Sequence, residues 1–202
     1  MYKVVKRVFD LLGALLLLPF VILVIIIVAP IIWLTDKGPV FYNAYRAGKD
    51  YKPFKMFKLR SMYVNSPNLK NPDGSTFNSD SDSRVTPIGR ILRKTSLDEF
   101  PQFLNILIGD MSFVGPRPKQ YNAEKKMEEM DENRRKSYSV KPGVTGYAQA
   151  YFRNSISNDE KFKWDAYYAD HASLGMDVKI LLQTVVSVIG RKNIYTEQSC
   201  KK

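Results

Sequence analysis

The chain of 202 residues has only one cysteine, Cys200, and only one histidine, His171. A single cysteine excludes an internal disulfide framework and a thiolate metal cluster, which fits a reducing compartment. A single histidine argues against a His-rich zinc site and against a Ser-His-Asp triad. Any acid–base or nucleophilic chemistry would therefore fall to carboxylates.

Acidic residues are also scarce relative to basic ones, with 20 Asp and Glu against 31 Lys and Arg. The net charge of +11 and the pI of about 9.6 point to an anionic partner: nucleic acid, anionic lipid or a phosphorylated substrate. The sequence has no run of five basic residues, and its cations are interleaved with acids, which argues against nucleic acid. A membrane-tethered basic binding protein without catalysis remains as an alternative to an enzyme.

Charge is absent from the 24 residues Leu11–Leu34, LLGALLLLPFVILVIIIVAPIIWL. A helix of this length, at ~1.5 Å per residue, would cross a hydrocarbon core of ~30 Å. The run is too long for the apolar region of a signal peptide, and no small-residue cleavage site follows it. It has no polar face, which disfavours a buried core helix. The sequence therefore predicts a membrane-inserted segment over residues 1–36.

The topology of this segment stays open at the level of residues. Pro19 lies in its middle and favours a kink. Basic residues flank both ends, so the positive-inside rule does not assign the ends to opposite faces: Lys3, Lys6 and Arg7 precede it, and Lys37, Arg46 and Lys49 follow it. A broken helix that re-enters the same side and a kinked single span both fit.

The remaining chain predicts one small domain over residues 37–190 and a flexible tail over 191–202. Around Lys58 and Arg60, basic and apolar residues alternate, as in a solvated face or in a surface that binds lipid head groups or phosphate. Composition predicts two loops, at 66–83 and, with strand-like pieces, at 140–154. We expect helices near 84–93, 119–136, 157–168 and 176–190.

Residues 93–118, RKTSLDEFPQFLNILIGDMSFVGPRP, concentrate charge and backbone constraint. Ser96-Leu-Asp-Glu99 matches a helix capping box, although Pro101 would then interrupt the helix. A helix capped by Asp98 instead places Pro101 at a tolerated position. Both alternatives put the Asp98 and Glu99 carboxylates at a helix N-terminus, where the free N–H groups also favour a phosphate.

Two adjacent carboxylates suit phosphoryl chemistry. An aspartate can attack phosphorus, and a second carboxylate can hold Mg²⁺ together with a diphosphate. Arg93 and Arg117 could neutralise the transferring group, and the flanking prolines fix the backbone of Arg117. A glycosidase is disfavoured, because its carboxylates face each other across the sugar. Local sequence leaves the cap and the phosphate site open.

A longer series of motifs carries a family resemblance. In order they are Lys6-Arg7-Val-Phe9-Asp10, Gly38-Pro39-Val40-Phe41, Phe57-Lys58-Leu59-Arg60-Ser61-Met62, Asp82-Ser-Arg84-Val-Thr86, Gly89, Leu92-Arg93-Lys-Thr-Ser96-Leu97-Asp98-Glu99, Pro101-Gln102, Asn105, Gly109-Asp110-Met111-Ser112-Phe113-Val114-Gly115-Pro116-Arg117-Pro118, Lys141-Pro142-Gly143-Val144-Thr145-Gly146 and Arg153-Asn154. The chain resembles the bacterial sugar transferases, polyprenyl-phosphate hexose-1-phosphate transferases of the monotopic phosphoglycosyl transferase class. Three positions depart from the family pattern: Leu18, Tyr147 and Phe152 stand where Ser, Trp and Gly are common.

The resemblance implies a reaction and its participants. A UDP-sugar would donate a sugar 1-phosphate to a polyprenyl phosphate such as undecaprenyl phosphate, with Mg²⁺, and UMP would leave. Asp98 would carry the phosphosugar covalently, and Glu99, with Asp98, would be the magnesium ligand. We expect the substrates to be bound by Lys58, Arg60, Arg93, Arg117, Pro118 and Arg153.

The resemblance also implies an architecture and a location. A re-entrant membrane helix broken at Pro19 would precede a small catalytic domain of mixed α/β type, mostly helical, with few short strands. The domain would lie on the cytoplasmic face of the bacterial inner membrane and begin synthesis of a surface glycan. Nucleic acid is not an expected partner, and no feature of the sequence assigns an oligomeric state.

Overall fold

The computed structural model describes residues 1–69, 77, 79 and 81–190, so the predicted tail and much of the loop at 66–83 lie outside the described residues. The described chain is mostly helical, which confirms the predicted class. Its helices are α1 (Tyr2–Asp36), α2 (Pro87–Thr95), α3 (Gln102–Ile108), α4 (Glu132–Ser137), α5 (Tyr147–Tyr151), α6 (Asn158–His171) and α7 (Leu174–Ile189). Its strands are β1 (Ala44–Ala47), β2 (Pro53–Met56), β3 (Ser112–Val114), β4 (Lys119–Gln120) and β5 (Gly143–Thr145).

Helix α1 is 35 residues long and continues through both Pro19 and Pro30. Proline removes a backbone hydrogen bond and favours a kink, but it does not end this helix. One side of α1 packs on the domain through Asp10, Ala14, Val21, Val24, Val28 and Ile32. The other side leaves many large apolar side chains exposed. Among the described helices, α1 alone is long and apolar enough to cross a membrane.

Both ends of α1 are attached to the same domain. At its beginning, the Tyr2 hydroxyl and the Lys6 ammonium donate to the Asp177 carboxylate of α7, at 2.9 and 2.7 Å. At its end, Asp36 forms an ion pair with Arg60, with 2.6 Å between Oδ1 and Nη2. The hydrophobic core lies between these attachments, where the inner side of α1 meets α2 and α3.

Two small sheets complete the domain. Strand β1 is central in an antiparallel sheet of order β2-β1-β4, and β3 pairs with β5 in parallel. In the second sheet, Gly143 of β5 and Gly115, directly after β3, let the two backbone segments approach closely. A Cβ at Gly143 would lie 2.1 Å from the Gly115 nitrogen. This close approach fixes the start of the segment that carries Arg117.

Most predicted helices are confirmed, and one is wrong. Helices α2, α6 and α7 lie where the sequence predicted helices, and Ser157 with Glu160 forms a capping box at the start of α6. The exposed helix predicted over 119–136 is wrong, because that range holds strand β4, a 3₁₀ turn at Met127–Glu129 and a short helix, α4, that begins only at Glu132. Dense alternating charge supplies no apolar stripe, so it does not by itself specify a long helix.

The range 140–154 is more ordered than predicted. It holds the strand β5 and then the short helix α5, where the sequence predicted a loop with strand-like pieces. Tyr147, at the start of α5, stacks on Trp164 of α6 with 5.3 Å between the ring centroids. This aromatic packing is long-range, and for that reason the local Pro and Gly pattern did not indicate it.

Candidate active site

Asp98 and Glu99 lie in a single 3₁₀ turn, Leu97–Glu99, between α2 and α3. Ser96 does not cap the following helix. It adopts a left-handed conformation, φ 59°, and its N–H closes the end of α2. Helix α3 begins at Gln102, with Pro101 as its N-cap. Both predicted capping arrangements are therefore wrong, and the carboxylates precede the helix on a tight turn.

Lys58 bridges the two carboxylates. Its Nζ lies 2.7 Å from Asp98 Oδ2 and 3.6 Å from Glu99 Oε1. The Leu59 N–H donates to the Asp98 carbonyl oxygen at 2.9 Å, so the segment after β2 runs directly along the turn. The predicted substrate-binding residue Lys58 is thus in direct contact with the predicted catalytic pair.

The buried side chain of Asn105 holds this segment in place. Its Oδ1 accepts from the Phe57 N–H at 2.9 Å, and its Nδ2 donates to the Lys55 carbonyl at 2.8 Å. An amide that satisfies one donor and one acceptor of a single strand end fixes both its position and its direction. Asn105 is therefore a positioning residue for Lys58, and the sequence marked it only as a motif residue of the resemblance.

Arg117 holds Glu99 from the other side. Its Nη2 and Nη1 donate to Glu99 Oε1 and Oε2, at 2.6 and 3.4 Å, and 47% of the Arg117 side chain is exposed. Burial alone would raise the pKa of Glu99, but the charges of Arg117 and Lys58 outweigh it and lower this pKa to about 2. Glu99 is therefore ionised at every physiological pH.

Asp98 has a different environment. Its residue exposure is only 2%. Burial raises the pKa of the Asp98 carboxyl; Lys58 opposes the rise, and the adjacent charge of Glu99 adds to it. A carboxylate removed from water, with one close counter-ion, has lost most of its hydration shell and is a stronger nucleophile than an exposed one.

Three further residues were predicted to bind substrate: Arg93, Pro118 and Arg153. Arg93 donates from Nε to Ser61 Oγ at 2.9 Å, and its charge opposes the rise in the pKa of Asp98 that burial causes. Pro118 follows Arg117 and leads into β4. Arg153 donates to the Ser187 carbonyl of α7 at 3.2 Å, and burial, with the charge of Arg117, lowers its pKa.

Arg60 is the exception among the predicted substrate-binding residues. It is buried and binds Asp36 and the Ile32 carbonyl, both at the end of α1. Alternation of basic and apolar residues suggested an exposed basic face, but Arg60 points inward and anchors the end of α1. We therefore leave Arg60 out of the proposed substrate site.

The carboxylate pair is suited to a magnesium ion that arrives with its substrate. Within the described residues there is no cluster of three His, Cys, Asp or Glu side chains that would form a complete protein site. Mg²⁺ commonly takes one or two carboxylates and completes its octahedron with phosphate oxygens and water. Glu99, ionised and next to Asp98, fits such a shared site.

The turn also contacts the middle of the apolar helix. Phe100 directly follows Glu99, and Phe20 directly follows Pro19 in α1. The centroids of their two rings are 5.7 Å apart. Large apolar side chains are also exposed on α3, at Ile108, and on α7, at Leu182. The turn that carries the carboxylates therefore packs against the apolar helix α1.

Comparison with known proteins agrees with the resemblance. A family model described as bacterial sugar transferase matches residues 1–191. The uncharacterized sugar transferase EpsL of Bacillus subtilis is 38% identical, over 95% of this chain and 90% of its own length.

Two longer relatives carry substrate names. The UDP-N-acetylgalactosamine-undecaprenyl-phosphate N-acetylgalactosaminephosphotransferase of Aeromonas hydrophila is 35% identical over 93% of this chain. The UDP-glucose:undecaprenyl-phosphate glucose-1-phosphate transferase of Klebsiella pneumoniae is 36% identical over 95%. This chain spans 44% and 42%, respectively, of the length of these two relatives. Matched over nearly its whole length, the chain belongs to the bacterial sugar transferase family.

Proposed function

We propose that the protein transfers a sugar 1-phosphate from a UDP-sugar to a polyprenyl phosphate such as undecaprenyl phosphate and releases UMP. The observation that carries the proposal is the buried Asp98 beside Glu99, bridged by Lys58 and held by Arg117. The names of the Aeromonas and Klebsiella relatives supply the substrate classes. The product would be the first lipid-linked unit of a surface glycan, such as an exopolysaccharide.

The chemistry proceeds in two displacements at phosphorus. Asp98 Oδ attacks the sugar-linked phosphorus of the donor, the bond to the nucleotide phosphate breaks, and UMP leaves. A phosphate oxygen of the polyprenyl phosphate then attacks the same phosphorus, and the bond to Asp98 breaks to free the enzyme. Lys58 and Arg117 stabilise negative charge on the transferring and leaving groups.

Magnesium is part of this proposal. Bound by Glu99, with Asp98 beside it, Mg²⁺ would neutralise the diphosphate of the donor and orient it for in-line attack. Lys58 then keeps Asp98 ionised, while Arg117 fixes the Glu99 carboxylate in one orientation.

We also propose that α1 enters and leaves the bacterial inner membrane on its cytoplasmic side. Its contacts support re-entry over a span, because Lys6 at the start and Asp36 at the end both bind the same domain. A domain on one face of the bilayer could not contact both ends of a spanning helix. The apolar side of α1 would then hold the polyprenyl chain close to Asp98.

A panel of UDP-sugars tests the reaction. We expect purified protein with undecaprenyl phosphate and Mg²⁺ to release UMP from one or a few of them and to form a lipid-linked sugar diphosphate. Without the lipid, a burst of UMP equal to the amount of enzyme should appear, because the covalent step precedes the acceptor. Release of UDP instead of UMP, or no release from any sugar, would contradict the proposal.

Site-specific labelling tests the topology. In a Cys200→Ser background, single cysteines at the exposed positions Lys3 and Pro39 should both react with an impermeant maleimide only in inside-out vesicles. Lysed vesicles, in which both positions react, provide the control. Opposite accessibility of the two cysteines in sealed vesicles would mean that α1 spans the bilayer.

A further inference from the structure

Arg46 is a charged residue on the inner face of a strand. In β1 it pairs with Phe54, while its neighbour Tyr45 pairs with Lys55. Paired residues of an antiparallel sheet point to the same face, and successive residues point to opposite faces. Phe54 is buried in the core, whereas Lys55 is exposed. Arg46 therefore points with Phe54 toward the domain, and no prediction from the sequence placed it in the site.

One donor of the Arg46 guanidinium is left unsatisfied by the described part of the chain. Its Nε is buried and has no hydrogen-bond partner among the described residues. Arg60 also has a buried, unpartnered Nε, but its terminal nitrogens bind Asp36. A buried donor on a charged group costs more than a neutral one when it is left unsatisfied. The cost at Arg46 is offset if an anion binds there.

The surroundings of Arg46 fit an anion as well. Strand β1 also pairs with β4, and this places Arg46 opposite Gln120, three residues after Arg117. Burial and the charge of Arg117 lower the pKa of Arg46, and Tyr42 and Glu99 oppose them. Two arginines that repel each other beside one carboxylate, itself already held by Arg117, leave an excess of positive charge. An anion between the two guanidinium groups would turn this repulsion into attraction.

We propose that Arg46, together with Arg117, binds the nucleotide phosphate that leaves when Asp98 is phosphorylated. The inference rests on the proposed function and adds the orientation in which the donor diphosphate binds. Lys58 and Arg93 act at Asp98, where the sugar-linked phosphorus is attacked. The second phosphate of the donor extends away from Asp98, past Glu99, toward Arg117 and Arg46.

The step is balanced without a proton. As the bond from Asp98 Oδ to the sugar-linked phosphorus forms, the bond from that phosphorus to the bridging oxygen breaks. The electron pair stays on the bridging oxygen, which leaves as a terminal oxygen of UMP. Negative charge therefore grows on the nucleotide phosphate, and two guanidinium groups aimed at it stabilise the change.

Equilibrium binding of UMP with Mg²⁺ to the full-length protein tests the inference, because it needs no turnover. We expect Arg46→Gln to weaken UMP binding by about tenfold or more, from the loss of a charge-assisted contact. Arg46→Lys should recover part of the affinity. Lys55→Gln is the matched control, since it removes a positive charge from the outer face of the same hairpin and should bind UMP like the wild type.

Kinetics separate binding from a structural effect. Arg46→Gln should raise KM for the UDP-sugar and leave KM for the polyprenyl phosphate unchanged, with an unfolding temperature close to that of the wild type. Unchanged UMP affinity in Arg46→Gln would overturn the inference. An equal rise in KM for the UDP-sugar and for the polyprenyl phosphate would also overturn it. A wild-type protein that binds UMP through Arg46 but transfers no sugar phosphate would overturn the proposed function alone.

Discussion

Asp98→Asn is expected to abolish transfer of sugar phosphate, with a loss of about 10⁴-fold or more. The substitution keeps the shape of the side chain but removes the oxygen nucleophile and the negative charge that Lys58 holds at 2.7 Å. Membrane association should persist, because α1 contacts the domain through other residues. The measurement is transfer of radiolabel from UDP-sugar to lipid by purified variants, together with the fraction of protein in the membrane pellet.

Asp110→Asn is the matched control for this result. Asp110 lies in the same sequence stretch, just after the end of α3, and is partly exposed. The Asp110→Asn substitution removes one carboxylate that contacts neither Lys58 nor Arg117, so near-normal activity is expected. In wild-type enzyme quenched without acceptor, mass spectrometry should find a phosphosugar on the peptide that contains Asp98. Activity of Asp98→Asn within tenfold of the wild type would refute the nucleophile assignment.

Lys58→Gln should produce the second-largest loss of transfer activity. Two adjacent, largely buried carboxylates would then lose the cation that bridges them, and breaking a buried ion pair costs ~3–5 kcal/mol. Burial and Glu99 already raise the pKa of Asp98, and Lys58 is what opposes them. We expect kcat to fall by about 10²-fold or more at neutral pH, because a larger fraction of Asp98 is protonated.

The pH dependence identifies the cause of this loss. Attack requires ionised Asp98, so the rate rises with pH through the pKa of that carboxyl. Removal of Lys58 raises the pKa, so the acid limb of the kcat profile should move to higher pH and part of the activity should return at alkaline pH. Lys55→Gln should leave the acid limb of the kcat profile at the same pH as in the wild type. A Lys58→Gln profile that coincides with that of the wild type would exclude this role.

The sequence predicted the parts of the molecule that depend on local pattern. The apolar run specifies α1, the periodic segments specify α6 and α7, and the Asp98-Glu99 dipeptide necessarily places the carboxylates together. The Pro-Arg-Pro segment predicted a fixed arginine, and Arg117 does bind Glu99. These features need only neighbouring residues to form.

The errors, and the contacts that the sequence did not predict, concern features that the local pattern leaves undetermined. Ser96 looked like a cap for the next helix, but its positive φ ends the preceding one, and sequence does not distinguish the two functions. Lys58 reaches Asp98, 40 positions later, only because Asn105 holds the end of β2. Arg46 enters the neighbourhood of Glu99 through strand register alone.

The attachment of the first turn of α1 to α7 has a consequence for biosynthesis. Tyr2 and Lys6 bind Asp177, which follows them by 175 and 171 residues, and the Tyr168 hydroxyl donates to the same carboxylate at 2.7 Å. The ribosome releases α1 long before it makes α7. The apolar helix therefore leaves the ribosome before its polar anchor exists, and this network closes only after α7 has been translated.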